Sequence, residues 1–318
     1  MTSYIIRRLL LGVIVLLLVT VLVFLLMHLL PGDPLLLFLG QDFATFTQEQ
    51  HDYYMHEFGL DKPLVVQYFD WLGGVFHGDL GQSILWRGQD VNSMIALRFP
   101  VTLNLSVLAL IISAIFGITF GTICAIKRGK WADTLFSVIA NLGITLPNFW
   151  VGLMLIYVFS YKLDLLPTFG YTSPFDDFWL HIQKLIMPVF CLAVFPLAGL
   201  TRQTRSSMLE VTRQDYIRTA WSKGLRERVI VTRHIIKNGL IPVITTLGMQ
   251  ISMLFGGAVL VEVVFAVPGM GQMMRDAAMA NDYQVVQGGV VVMAVVIIIT
   301  NIMVDIAYGW LDPRIRYN

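Results

Sequence analysis

Long apolar runs constrain this chain more than any other feature of its sequence. The first covers residues 9–30, which are mostly Leu, Val and Ile. At about 1.5 Å per residue, a helix of this length reaches about 33 Å, enough to cross the hydrocarbon core of a bilayer. Charged residues make up only 14% of the chain, whereas soluble domains have about a quarter. The sequence therefore predicts an all-α integral membrane protein.

The apolar runs predict six transmembrane helices. These cover residues 9–30, 101–126, 134–161, 185–200, 240–265 and 286–308. Pro147 is expected to kink the third helix, and Pro188 and Pro196 interrupt the short fourth one. The first run is too long for the core of a cleavable signal peptide. Six spans and Lys/Arg-rich inner loops predict that both termini lie in the cytoplasm.

The segment between the first two spans, residues 35–99, is acidic. It has three Lys or Arg residues, against nine acidic residues when Asp33 is included. This balance predicts an extracytoplasmic position, and the many aromatic residues predict that the segment folds. Short helices are expected at 47–58 and 63–76. We therefore divide the chain into 1–99, the first span with this segment, and 100–318, a core transmembrane domain.

The loop at residues 202–238 is basic, with nine Lys or Arg residues and three acidic ones. Its pattern predicts a short amphipathic helix, then a break at Gly224 in the left-handed conformation, then a second helix that leads toward Pro242. The residues expected on one apolar stripe are Leu209, Tyr216, Ile217, Ala220 and Trp221.

Several kinds of chemistry have no motif in this chain. The sequence has no phosphate-binding G-x-x-x-x-G-K-[ST] loop, no H-E-x-x-H metal motif and no catalytic constellation. Cys124 and Cys191 form no metal-ligand pattern, and no basic aromatic patch predicts a nucleic-acid partner. Asp305, near the inner end of the sixth span, either pairs with Arg314 or Arg316 or relays protons.

Four stretches in matching order resemble the membrane subunits of ABC importers of the dipeptide, oligopeptide and nickel group, in the "B" subunit branch. They are residues 31–34, 58–83, 214–243, and 261–288 together with the tail 311–317. The resemblance implies the type I ABC importer permease fold in a bacterial or archaeal cytoplasmic membrane. It also implies a permease without enzymatic activity of its own, in contact with membrane lipid.

The partners that the resemblance implies are a second permease subunit, two cytoplasmic ATPase subunits and an extracytoplasmic substrate-binding protein. ATP and Mg²⁺ would be held by the ATPases, and this chain would hold no cofactor. The third stretch resembles the "EAA" loop, which forms a coupling helix against the ATPase, although Tyr216 and Thr219 dilute the Glu-Ala-Ala pattern. The alternative is a merely solvated basic loop. By position, the contact residues would be Asp215, Tyr216, Arg218, Thr219, Ala220 and Gly224.

Polar residues within the third and fifth spans are candidates for the translocation path, or for hydrogen bonds between helices. They are Asn141, Thr145, Asn148, Gln250 and Ser252. The 35–99 segment is either a platform for the binding protein or a cap that packs on the spans. The expected substrate is a di- or oligopeptide, and a nickel chelate, glutathione or an oligosaccharide are alternatives. A rival of another class is an ion-coupled secondary transporter, which would require inverted repeats and buried ionisable residues.

Overall fold

The computed structural model describes residues 2–29, 47–57, 59–86 and 88–311, and the regular elements in these ranges are helices. We number them in chain order, with α6 ending in a π turn at Ile156–Lys162 and α9 containing one at Ile230–Ile236. The helices are α1 (Thr2–Leu29), α2 (Gln48–Glu57), α3 (Leu64–His77), α4 (Val91–Ile126), α5 (Trp131–Thr145), α6 (Asn148–Lys162), α7 (Phe178–Thr212), α8 (Asp215–Ser222), α9 (residues 227–239), α10 (Ile241–Val264), α11 (Met270–Met279) and α12 (Tyr283–Leu311).

Five of these helices are long and apolar enough to cross a membrane, and the bent pair α5–α6 makes a sixth if it counts as one span. The predicted third span is broken at Pro147 and not merely kinked, because its two helices are bent by 107°. Leu146 and Pro147 are extended there, with ψ of 132° at both. Proline disfavours the helical conformation of the residue before it and has no N–H to donate.

Other prolines lie inside helices and do not break them. α7 continues through Pro188 and Pro196 for 35 residues, so the predicted fourth span at 185–200 is too short. α4 begins ten residues before the predicted second span and contains Pro100. Membrane helices tolerate proline where neighbouring groups satisfy the freed backbone. As a consequence, residues 202–212 of the predicted loop belong to α7.

One compact unit comprises Met1–Thr102 and Pro268–Ile298. In it, α2 and α3 confirm the two short helices predicted at 47–58 and 63–76. Asp282 is fully buried and accepts hydrogen bonds from the Ser83 hydroxyl, at 2.5 Å, and from the Leu85 N–H, at 2.9 Å. These bonds join the chain before α4 to the turn before α12.

The second compact unit comprises Leu103–Val267 and Ile299–Asn318. Its helices approach each other closely at small residues. A Cβ added to Gly117 on α4 would lie 2.7 Å from the Cβ of Leu200 on α7. Such close approach of backbones is the usual basis of helix packing in membranes, where lipid tails are as apolar as the side chains.

Some sequence predictions fall on parts of the chain that lie outside the described residues. These are Pro31–Pro34, Phe58, and the tail with Arg314 and Arg316. The side chain of Asp305 also lies outside them, although its backbone is part of α12. Its role stays a prediction.

Candidate functional site

The short helix expected in the basic loop is α8, and it has one buried face. Ile217 is 1% exposed and Ala220 is 6% exposed. Tyr216 and Trp221, which flank these two on the helical wheel, remain 45% and 49% exposed. The predicted apolar stripe is therefore too wide, because only its centre is covered. Leu209 is not part of it, since that residue lies on α7.

A hydrophobic cluster holds the buried face of α8. Its buried members are Met208, Ile217, Ala220, Ile230 and Ile235, with residues of the α4 end and of α7 and α9 packed around them. Burying a side chain of this size contributes about 1.5–3 kcal/mol. An isolated helix of eight residues would be marginal in water, so the cluster is what holds α8 in place.

Gly224 ends α8 as the sequence predicts. Its φ is +71°, in the left-handed region where glycine has no steric cost. The N–H of Gly224 donates to the Trp221 carbonyl at 2.9 Å, and the N–H of Leu225 donates to the Ala220 carbonyl at 3.4 Å. This pair of bonds is a Schellman motif, which satisfies the last carbonyls of the helix. A Cβ at position 224 would meet nothing within 4 Å.

The other face of α8 is polar and open. Asp215, Arg218 and Thr219 are all exposed, and an Arg218 guanidinium nitrogen lies 3.6 Å from an Asp215 carboxylate oxygen. A pair this exposed contributes little stability, so Arg218 can exchange Asp215 for another carboxylate at small cost. Ala220 differs from the other predicted contact residues because its side chain is buried against this chain's own cluster.

The π turn of α9 was not visible in the sequence. Ile230 is fully buried and Ile235 is 7% exposed, and both reach the cluster under α8. Residues five apart lie on different faces of an α-helix, whereas i→i+5 hydrogen bonding in a π turn brings them to nearly the same face. A search for spacings of three and four therefore misses this pair.

An ion pair and a hydrogen bond fix α7 beside this site. Arg205 binds both carboxylate oxygens of Asp133, with Nε to Oδ1 at 2.7 Å and Nη2 to Oδ2 at 3.0 Å. Asp133 also accepts from the Gly129 N–H at 3.0 Å. Two positions along α7, Ser207 donates to the carbonyl of Gly239 at 2.7 Å. The signal that could have pointed to Asp133 is an acidic residue three positions after the basic stretch 127–130.

The predicted path residues on the bent span α5–α6 are exposed or lie at hydrogen bonds within this chain. Asn141 and Thr145 are exposed, and the Thr145 hydroxyl donates to the Asn141 carbonyl at 2.7 Å. Asn148 is partly buried at the start of α6, and its carbonyl accepts from the Cys191 thiol at 3.1 Å. Whether these residues line a path stays a prediction.

The two predicted path residues on α10 form hydrogen bonds to other helices. Gln250 is 6% exposed, and its Nε2 donates to the Pro196 carbonyl of α7 at 3.0 Å. The Ser252 hydroxyl donates to Asn301 Oδ1 of α12 at 3.2 Å. These contacts correspond to the alternative role, a link between helices, and the path role stays a prediction for both.

A further acidic side chain is buried within a span. Glu262, near the end of α10, is fully buried, and no sequence motif predicted a role for it. In the part of the chain that the structure describes, no three His, Cys, Asp or Glu side chains are placed to hold a metal ion.

Comparison with known proteins gives two family matches that together cover nearly all of the chain. The family described as "Binding-protein-dependent transport system inner membrane component" matches residues 117–317, and its N-terminal counterpart matches residues 1–106. A Brucella abortus chain named for a peptide transport system permease is 42% identical over 318 residues, covering 100% of both chains. The oligopeptide transport system permease protein AppB of Bacillus subtilis is 40% identical, again covering 100% of both.

A third relative and two solved structures extend the comparison. The di/tripeptide transport system permease protein DppB of Pseudomonas aeruginosa is 39% identical, over 100% of this chain and 99% of that one. A structure of the MetNI methionine ABC transporter in inward-facing conformations has a TM-score of 0.57 at 14% identity, covering 69% of this chain and 96% of that chain. An amino acid ABC transporter has a TM-score of 0.50 at 14% identity, covering 70% and 94%.

Proposed function

Because the chain belongs to the family of inner membrane components of binding-protein-dependent transport systems, we propose that it forms half of the membrane path of an ATP-driven importer of short peptides. The chain is a multi-pass membrane protein with the type I ABC importer permease fold, as its sequence resemblance predicted. It is a permease component, and the proposal places ATP hydrolysis and Mg²⁺ on two cytoplasmic ATPase subunits.

The observation that carries this proposal is the construction of α8. The buried face of this short helix packs on a hydrophobic cluster. Its other face exposes Asp215, Tyr216, Arg218 and Thr219. An exposed aromatic and an arginine are the residue types that most often anchor protein interfaces. Such a face suits a groove on an ATPase, and the lack of side-chain neighbours at Gly224 leaves room for the partner's backbone.

The cluster gives α8 a mechanical connection to the spans. Met208 belongs to α7, and Ile230 and Ile235 belong to α9, which leads directly into α10. A displacement of α8 by closing ATPases would therefore push on two spans at once. Outward-facing and inward-facing states then differ in free energy because the ATPases bind α8 differently in each.

Peptides are the proposed cargo because relatives at 39–42% identity carry the names of peptide permeases. A second permease subunit would complete the path, and an extracytoplasmic binding protein would deliver the cargo. Both termini would lie in the cytoplasm. The alternative substrates are a nickel chelate, glutathione or an oligosaccharide. Uptake assays with each compound distinguish them from di- and oligopeptides.

The test is to express the chain with candidate ATPase subunits and measure their co-purification and the ATP-dependent uptake of a labelled dipeptide. Gly224→Leu and Arg218→Glu should reduce both. The matched controls are Gly129→Leu and Arg128→Glu in the α4–α5 loop. Gly129 also has a positive φ, +74°, and no Cβ neighbour within 4 Å, so it suffers the same backbone strain, about 1–2 kcal/mol.

If the variants at 218 and 224 behave like the controls at 128 and 129, α8 is not the coupling helix. Uptake that persists without any ATPase and collapses with a protonophore would instead support an ion-coupled transporter. In that case Asp305 becomes the next residue to replace.

A further inference from the structure

Helix α3 has three faces with different surroundings, although it is only 14 residues long. At about 100° per residue, Gln67, Tyr68 and Trp71 share one face. Asp70 and His77 share a second face and are exposed. Val65, Phe69, Leu72 and Phe76 follow the spacing i, i+4, i+7, i+11 and form a third.

The first face packs on α1. The hydroxyls of Tyr68 and Thr20 lie 3.0 Å apart, and Gln67 Oε1 lies 3.1 Å from a ring nitrogen of His28. The Phe24 ring lies 5.4 Å from that of Tyr68 and 6.3 Å from that of Trp71. α3 is therefore fixed along the last three turns of α1.

These contacts lie at membrane depth. Thr20 is nine residues before Leu29, the last residue of α1, which is about 13 Å along the helix axis. The apolar part of α1 needs about 20 residues to cross the hydrocarbon core, and Arg7 and Arg8 mark its other end. A helix that touches Thr20 and Phe24 therefore extends below the surface of the bilayer.

The third face of α3 is apolar and open. Val65 is 67% exposed, Phe69 is 63% exposed and Phe76 is 77% exposed. On the neighbouring α1, Leu22 and Leu26 are also more than half exposed, as expected for a span surrounded by lipid. Leu22 and Leu26 lie on the side of α1 opposite Thr20 and Phe24, so α1 and α3 each expose apolar surface at a similar depth.

We propose that α3 is an interfacial helix whose stripe Val65–Phe69–Leu72–Phe76 lies among the acyl chains and headgroups of the bilayer leaflet at the Leu29 end of α1. A helix with one apolar and one polar face commonly lies in this region, with its apolar side buried about 5–10 Å. The polar side faces water here, where Lys62 pairs with Asp70 at 2.7 Å. The proposal requires that α1 spans the membrane, and it does not depend on the cargo.

The test uses spin labels on the full chain in bilayers of phosphatidylethanolamine and phosphatidylglycerol. Single cysteines replace Phe69 or Phe76 on the stripe, and His77→Cys on the polar face is the control. Cys124 and Cys191 are buried, and the unsubstituted chain measures their background labelling. Collision rates with oxygen, which concentrates in acyl chains, are compared with those of a water-soluble nickel complex.

We expect the oxygen-to-nickel collision ratio to be several-fold higher at positions 69 and 76 than at position 77. Equal ratios at all three positions would place the stripe in water and overturn the proposal. Protection of 69 and 76 from both reagents would also overturn it, because a protein partner and not lipid would then cover the stripe. Val65→Cys replaces either stripe variant if that variant fails to insert.

Discussion

Arg205 of α7 and Asp133 of α5 form a bidentate ion pair, with Nε–Oδ1 at 2.7 Å and Nη2–Oδ2 at 3.0 Å. The Asp133 side chain is 9% exposed and that of Arg205 is 34% exposed. Bidentate geometry makes this one of the stronger kinds of hydrogen-bonded pair. It holds α7 close to the cluster that supports α8.

Replacing Arg205 with alanine should destabilise the protein by about 1–3 kcal/mol, because it leaves a largely buried carboxylate without its cation. The partial exposure of Arg205 keeps the expected cost below the upper range for fully buried pairs. Thermal unfolding of the purified chain measures the effect. Arg202→Ala, at an exposed arginine on the same helix, should have almost no effect, and equal losses for the two variants would contradict the prediction.

Ile217→Ala should release α8 from the cluster, because removing a buried isoleucine side chain costs about 2–5 kcal/mol. Hydrogen exchange of the amides at 215–222 should become faster. Tyr216→Ala removes a half-exposed neighbour and should leave this exchange unchanged while weakening co-purification of the ATPase. Faster exchange in both variants, or in neither, would show that the cluster does not fix the helix.

Gln250→Leu should lower the melting temperature, because the Pro196 carbonyl loses its donor from Nε2 at a net cost of about 0.5–1.5 kcal/mol. If Gln250 only links helices, the apparent affinity for the transported substrate should not change. A changed affinity at unchanged melting temperature would instead assign Gln250 to the path. Asn141→Leu, at an exposed side chain, is the control and should melt like the unsubstituted chain.

The stability contributed by Asp282 should depend on pH. Burial raises the pKa of this carboxyl above its ordinary 3.8, although the Ser83 hydroxyl and the Leu85 N–H, as donors, oppose the shift. The folded state therefore binds the proton more tightly than the unfolded state. The contribution of Asp282 is fully present below about pH 3.8 and is lost as pH rises through the raised pKa.

Melting curves of the unsubstituted chain and of Asp282→Asn, recorded from below pH 4 upward, test this prediction. The stability difference between the two should shift against the unsubstituted chain as pH rises. A shift in the opposite direction would mean that the hydrogen bonds from Ser83 and Leu85 outweigh the cost of burying the charge.

Apolar length and turn chemistry made much of the fold predictable. The spans appear where the apolar runs lie, and Gly224 adopts the left-handed conformation expected at the end of a helix. The effect of each proline could not be predicted, because every proline lacks an N–H and disfavours helix locally, whatever its surroundings. Pro147 separates two helices, whereas Pro196 lies inside α7. Pro196 leaves the carbonyl of Leu192 without its usual i+4 donor, and whether the helix continues through such a gap depends on tertiary packing that no local pattern reveals.

The candidate site was predictable in outline but not in its contacts. The exposed residues of α8 and its buried centre at Ile217 follow from the helical pattern of the loop. Ala220 was expected at the partner surface and lies inside, because its partners are Met208 and the isoleucines of α9. The Arg205–Asp133 pair joins residues 72 positions apart. Nothing in the sequence distinguishes Arg205 from the other eight basic residues of the loop, so the pair could not be predicted.

The two faces of α8 have different surroundings. Ile217 and Ala220 are packed in the interior of this chain, whereas Asp215, Tyr216, Arg218 and Thr219 are exposed and, under the proposed function, contact only the ATPase. The choice of ATPase then depends on four exposed positions of α8, while the hydrophobic cluster fixes where the helix lies. A permease built in this way could be re-matched to the ATPase of a related transporter by grafting those four residues, with no change to its folded interior.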